Sequence, residues 1–332
     1  MSQIVVSLLP VFIFLAALYF LDSYKLIKMQ MVLLTIVVGC IVALAALLVN
    51  TGFINFLDLS SIFYSGYIAP VVEESLKALY IVYLIKSKKV GFMVDAALYG
   101  LALGAGFAFT ENLFYLYSLH ESNLLLWLIR GFGTAMMHCG TTALFGIISR
   151  NLFDLYQSNN VKIFSPGLLI AIVFHSLFNH FILSPVVSTV LLVIVLPLLM
   201  LIVFKRSEDS TRRWLGTGLD SDLEVLELIM DGKFTDSKIG TYLHSLRSHF
   251  SPQIIGDMLC LIRLHTELGM RAKGMLIMRE AGFDVTVDSE IKEKLTELRY
   301  LENSIGKTGK LAIAPILHRS SRSLWQLYLL KK

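Results

Sequence analysis

MVLLTIVVGCIVALAALLV, residues 31–49, carries no charged side chain. As an α-helix rising about 1.5 Å per residue, it comes close to the roughly 30 Å of a bilayer's hydrocarbon core. Six further runs, at 4–21, 64–85, 93–117, 124–148, 164–183 and 186–204, are of similar length and predominantly apolar. The expected fold is therefore all-α, a polytopic membrane protein with seven transmembrane helices and short connections. Composition agrees. Hydrophobic residues make up 55% of the chain and charged residues 16%, where soluble domains carry about a quarter charged. The run at 4–21 has no basic segment before it and no obvious small-residue cleavage site after it, so it reads as a retained helix.

Orientation follows from the basic residues in the connections. Lys25 and Lys28 follow the first run, Lys86, Lys88 and Lys89 the third, Arg150 and Lys162 the fifth, and Lys205 and Arg206 the seventh. Residues 50–63, 118–123 and 184–185, with the N-terminus, hold no Lys or Arg. That alternation predicts a cell (inner) membrane protein with its N-terminus outside and its C-terminus cytoplasmic. Charge becomes frequent from Lys205 onward, which divides the chain into a transmembrane domain, 1–205, and a cytoplasmic all-helical soluble domain, 206–332. In this tail Leu223, Leu226 and Ile229 ahead of Gly232 predict an amphipathic helix. Residues 252–281 open on Ser-Pro and stop at Gly282, and 286–305 mix Glu, Lys and Leu at helical spacing. Ser320–Lys332, with Trp325 and Tyr328, is a short amphipathic stretch that either lies on the membrane or packs on its neighbours. The tail has no metal, nucleotide or phosphate motif, no nucleic-acid partner is expected, and oligomerisation through it stays open. Cys40, Cys139 and Cys260 are too scattered for a disulfide framework or a CxxC site.

Chemistry must then be sought inside the membrane, where an ionisable group costs several kcal/mol and marks function by default. The third run holds Pro70-Val-Val-Glu73-Glu74-Ser-Leu-Lys77. Helix rise puts Glu73 roughly 14 Å from Tyr64, near the midplane. Lys77 follows Glu73 by four residues and Glu74 by three, so it can pair with either. Adjacent helical residues point about 100° apart, so one of the two acids is expected to face a cavity while the other pairs with Lys77. The fourth run holds Gly100 and Gly104, which permit close helix approach, and then Glu111-Asn112. The fifth has Arg130 near its outer end, a structural charge partner or a snorkelling group, and His138 between Thr134 and Thr141. In the sixth, His175 and Asn179 share one face four residues apart, with His180 pointing elsewhere. Each group alone also has a structural reading: an ion-paired knot for the acids, a hydrogen-bonded packing residue for a histidine.

Carboxylates and imidazoles at one depth are the ingredients of water activation, either with Glu as general base or with Glu and His ligands holding a divalent metal. Asn179 is a candidate donor to an oxyanion. The chain has no HExxH or GxSxG, and the membrane region lacks two well-placed aspartates, since Asp95 sits near the inner edge.

Glu73–Lys77 (EESLK), Phe107–Asn112 (FAFTEN), His138 and His175–Asn179 (HSLFN), in that order on successive helices, resemble the PrsW family of intramembrane proteases. That family is grouped with the type II CAAX-prenyl endopeptidases and the bacterial CPBP proteins. The resemblance covers roughly 60–185. It implies cleavage of a membrane-anchored protein substrate in the lipid bilayer, such as an anti-sigma factor. It carries a catalytic role to Glu73, Glu74, Glu111, His138 and His175, oxyanion stabilisation to Asn179, and support to Lys77 and Asn112. It leaves open a Zn2+ site at Glu111, His138 and His175 or a metal-free glutamate mechanism. Two other classes compete: a non-catalytic membrane scaffold like the seven-span subunit of gamma-secretase, and a proton-coupled transporter, for which no inverted repeat is visible.

Overall fold

The computed structural model describes residues 29–57, 60–118, 123–156, 160–180, 182–231, 233–283 and 289–317, together with Ile13 and Ala16. Among these residues there are helices and turns but no strand. The chain forms two compact units, Met1–Ser207 and Glu208–Lys332.

In the first unit, α1 is Met29–Leu57. A short helical turn, Ser61–Phe63, and a wide π-helical turn, Tyr64–Ile68, lead into α2, Ala69–Lys86, with Pro70 in its first turn. Next come α3, Met93–Ser118, and α4, Leu124–Leu128. A second π-helical turn, Ile129–Thr134, opens α5, Ala135–Tyr156. After a 3-10 turn at Val161–Phe164 follow α6, Ser165–Asn179, and α7, Pro185–Met230, whose residues from Glu208 onward belong to the second unit.

The hub is α3, whose side chains from Val94 to Ala108 are buried. Glycines let its neighbours approach backbone to backbone. A Cβ on Gly106 would lie 1.9 Å from the Ile36 carbonyl oxygen of α1, and one on Gly104 2.5 Å from the His138 carbonyl oxygen of α5. Gly100 and Gly146 meet Ala143 and Ala96 in the same way, so α3 and α5 pack along a stripe of small residues. At the start of α3, Asp95 accepts from the backbone N–H groups of Gly91 and Phe92, reaching back as a capping acid does.

Among the described residues, four helices are long and apolar enough to cross a membrane: Met29–Phe56, Met93–Ser118, Val161–Asn179 and Pro185–Met230. The run at 4–21 falls outside the described residues. The runs at 64–85 and 124–148 are helical, but their π turns and charged groups set them apart from the plain apolar helices. Other boundaries differ from the hydropathy reading. Helix α1 continues past Val49 to Leu57, so Asn50 is helical and not in a loop. Arg150, counted among loop cations, lies inside α5, fully buried, and donates to the Gly91 carbonyl at 2.7 Å. Helix α7 runs through the onset of charge at Lys205, because no glycine or proline stops it there.

The second unit adds α8, Lys238–Ser245, α9, Pro252–Glu280, α10, Ser289–Ser304, and α11, Gly306–Ile313. Ser251 caps α9, and Gly282, with φ of 88°, ends it, where a residue with a Cβ would be strained. Met258, Ile262, Leu268 and Ala272 of α9 form an apolar core with Leu295, Leu298 and Leu301 of α10 and Ile313 of α11. Buried Lys273 donates to Asp222 and to the Gly218 carbonyl. The stretch Ser320–Lys332 lies outside the described residues.

Candidate active site

The four helices that carry the sequence motifs bring their polar groups together. From α2, Glu74 and Lys77 form an ion pair at 2.5 Å, with both side chains closed off from solvent. Glu74 Oε1 also accepts from Thr141 of α5 at 3.1 Å and lies 2.8 Å from His175 Nδ1 of α6. On the other side of the same imidazole, Nε2 lies 3.9 Å from Glu73 Oε2. Both adjacent acids therefore reach the site, where helical angle predicted one. His175 stands between them, and its two nitrogens face opposite ways. The second histidine, His138 of α5, has its ring centroid 4.9 Å from that of His175, nearly perpendicular to it. Its Nε2 is 2.6 Å from Glu111 Oε2 of α3, and its Nδ1 is 3.2 Å from Lys77 Nζ.

A protonated lysine only donates, so Nδ1 of His138 accepts and a neutral ring keeps its proton on Nε2, facing Glu111. Glu111 is held from behind by Arg130, whose Nη2 donates to Oε1 at 3.1 Å. Arg130 Nε donates to Asn112, and its guanidinium lies over the Tyr115 ring. It stands in the π turn at Ile129–Thr134, which aims it at α3. Three carboxylates thus meet two permanent cations, and with both imidazoles neutral one negative charge stays uncompensated in a low-dielectric setting. His138 and His175 are 1% and 2% exposed, while the Glu73 and Glu111 side chains remain partly open, at 15% and 26%. Access to the site is from the side of those two acids.

Glu73, His138 and His175 each offer a ligand atom, and these atoms lie within 4.8 Å of one another. Two imidazoles and one carboxylate are the donor set of a catalytic zinc site with an open position, and the uncompensated negative charge favours a cation there. The residues fit such an ion. The donor atoms that lie together include Glu73 rather than Glu111, whose Oε2 stands 2.6 Å from His138 Nε2.

Asn179 is placed elsewhere. Its amide donates to the Ser65 carbonyl at 2.9 Å, and Ser176 donates to the Gly66 carbonyl at 2.7 Å. Both carbonyls belong to the π turn before α2, and α6 supplies them with partners. His180 packs edge-on to Tyr67, with its ring where a Cβ on Gly66 would be. Asn50 was missed from the sequence because hydropathy placed it in a loop, yet it donates to Glu73 at 3.1 Å.

The model of the PrsW family of intramembrane metalloproteases matches residues 28–204, a little over half of the chain. The chain belongs to the PrsW family. No curated protein and no solved structure matches it. The match spans all the polar residues assembled above, from Asn50 to Asn179. As a PrsW-family member the chain is a membrane protein and an intramembrane peptidase, and its substrate is a protein embedded in the lipid bilayer.

Proposed function

We propose that this chain is a zinc-dependent intramembrane endopeptidase that cleaves a membrane-anchored signalling protein, such as an anti-sigma factor, in regulated proteolysis. The observation that carries the reading is the convergence of Glu73, His138 and His175 in a site closed by Glu74, Lys77 and Glu111. Zinc held by Glu73, His138 and His175 would supply a water acidified toward neutrality and a Lewis acid for the scissile carbonyl.

The protein's own groups do the rest. Glu74 accepts from His175 Nδ1 and so presents Nε2 to Glu73, an orientation that a second carboxylate commonly gives a metal-binding histidine. Lys77 neutralises Glu74 and faces His138 Nδ1. Glu111, partly open beside His138, would take up the proton that the attacking water releases and deliver it to the leaving amine. Asn179 holds the Ser65 carbonyl and so steadies the turn that leads into α2 and its two glutamates.

Around this site we place seven transmembrane helices in residues 1–205, with the N-terminus outside the cell membrane, and a cytoplasmic helical domain in 206–332 that can support oligomerisation. The same motifs support kinship with the CAAX-prenyl endopeptidases and CPBP proteins. The test is cleavage of a single-span peptide by full-length protein in liposomes. Glu73→Gln, Glu111→Gln, His138→Ala and His175→Ala should each lower kcat/KM by at least about 100-fold. Retention of wild-type activity by both histidine variants would overturn the assignment.

A further inference from the structure

Beyond the metal and acid–base groups, Glu73 has a hydrogen-bonded support of its own. Asn50 of α1 donates through Nδ2 to Glu73 Oε1 at 3.1 Å, and Tyr64 donates through its hydroxyl to Asn50 Oδ1 at 2.9 Å. The direction of this relay is set from the carboxylate outward. An ionised carboxylate only accepts, so the amide of Asn50 must turn its NH2 to Glu73. Its oxygen then faces Tyr64, whose hydroxyl must donate. Tyr64 is 2% exposed.

The π turn makes the relay geometrically attainable. Tyr64 precedes Glu73 by nine residues, and at about 100° per residue an unbroken α-helix would set the two on opposite faces. The wide turn at Tyr64–Ile68 absorbs about one residue and swings Tyr64 round toward α1 and Asn50. Ser176 and Asn179 stabilise that turn by taking up the Gly66 and Ser65 carbonyls.

We propose that Asn50 and Tyr64 are positioning residues that decide which oxygen of Glu73 serves the site. By occupying Oε1 they leave Oε2, the atom 3.9 Å from His175 Nε2, for the metal and its water. The inference rests on the zinc-dependent reading above. A carboxylate with both oxygens loose would share its rotamers between the histidines and α1. Fixing one oxygen selects the rotamer in which the other points at His175.

The test measures Zn2+ affinity of the full-length protein in detergent by competition with a chelator, and kcat and KM on a single-span peptide in liposomes. Asn50→Leu should weaken Zn2+ binding about 10–100-fold and lower kcat, with KM little changed. Tyr64→Phe, which removes a single oxygen atom, should do the same by a smaller factor. The double variant should be no worse than Asn50→Leu, because Tyr64 acts through Asn50. Asn50→Gln, which keeps the amide donor, should recover part of both losses.

Wild-type Zn2+ affinity and kcat in both single variants, or losses that multiply in the double variant, would overturn the proposal. If Asn50→Leu fails to fold, Tyr64→Phe decides alone, with unchanged affinity and kcat counting against it. A wild type that binds no Zn2+ defeats the zinc reading instead. The kcat values of Tyr64→Phe and the double variant then still judge the positioning of Glu73.

Discussion

Glu74→Gln separates the two jobs that this carboxylate performs. In the structure its Oε1 meets Lys77 Nζ at 2.5 Å, His175 Nδ1 at 2.8 Å and Thr141 Oγ1 at 3.1 Å, and Lys77 is fully buried. Glutamine keeps an acceptor oxygen but loses the charge, so Lys77 stays hydrogen-bonded and unneutralised. An uncompensated buried charge costs about 3–5 kcal/mol, against a total stability of the order of 5–15 kcal/mol. Adding Lys77→Met removes the orphaned charge and places a thioether near the Phe107 ring, over which the lysine ammonium now sits at 4.7 Å. The double variant should therefore recover stability to within about 1–2 kcal/mol of wild type. Its activity should not return, because His175 Nδ1 still lacks a carboxylate partner, a loss of about 10–100-fold. Unfolding in mixed detergent–SDS micelles measures the first quantity and peptide cleavage the second. If Glu74→Gln unfolds like wild type, or the double variant is no more stable than Glu74→Gln, the buried pair is not what holds Glu74 in place.

Other variants test other contacts. Gly104→Ala puts a Cβ against the His138 carbonyl and should cost about 1–3 kcal/mol along with activity, whereas Gly52→Ala, with open space around it, should leave both intact. Arg130→Gln should lower kcat/KM about 10–100-fold, and Arg130→Lys should not restore it, because one ammonium cannot serve Glu111 and Asn112 in the fork that Nη2 and Nε provide. In the second unit, hydrogen bonds from Lys294 and Arg271 hold the Glu290 carboxyl below its usual range. A group with a pKa lower in the folded state gives stability that is full above its ordinary value and lost as pH falls through the lowered one. Glu290→Gln should therefore flatten the acid side of that unit's stability curve, read by thermal unfolding of the full-length protein across pH.

Much of this site was legible because it is carried by spacing within single helices. Lys77 follows Glu74 by three positions, and the pair forms as helical geometry dictates. Glycines at 100 and 104 mark where α3 meets α5. What escaped depends on features that hydropathy and a uniform 100° step cannot register. Both π turns rotate the chain locally, so Tyr64 and Arg130 reach partners that a regular helix would deny them. Asn50 ended an apolar run and so read as a loop residue, although α1 continues for two more turns beneath it. Arg150 read as a topological marker, whereas its guanidinium is buried against the Gly91 carbonyl. The adjacent glutamates were expected to divide their roles by angle, but an imidazole with two nitrogens can stand between them.

Metal content of the purified full-length protein tests the central claim most directly. Wild type, prepared without added chelator, should carry about one zinc per chain, and Glu73→Gln, His138→Ala and His175→Ala should each lose it while remaining folded. A folded wild type that cleaves its peptide at full rate with no divalent ion bound would contradict the account.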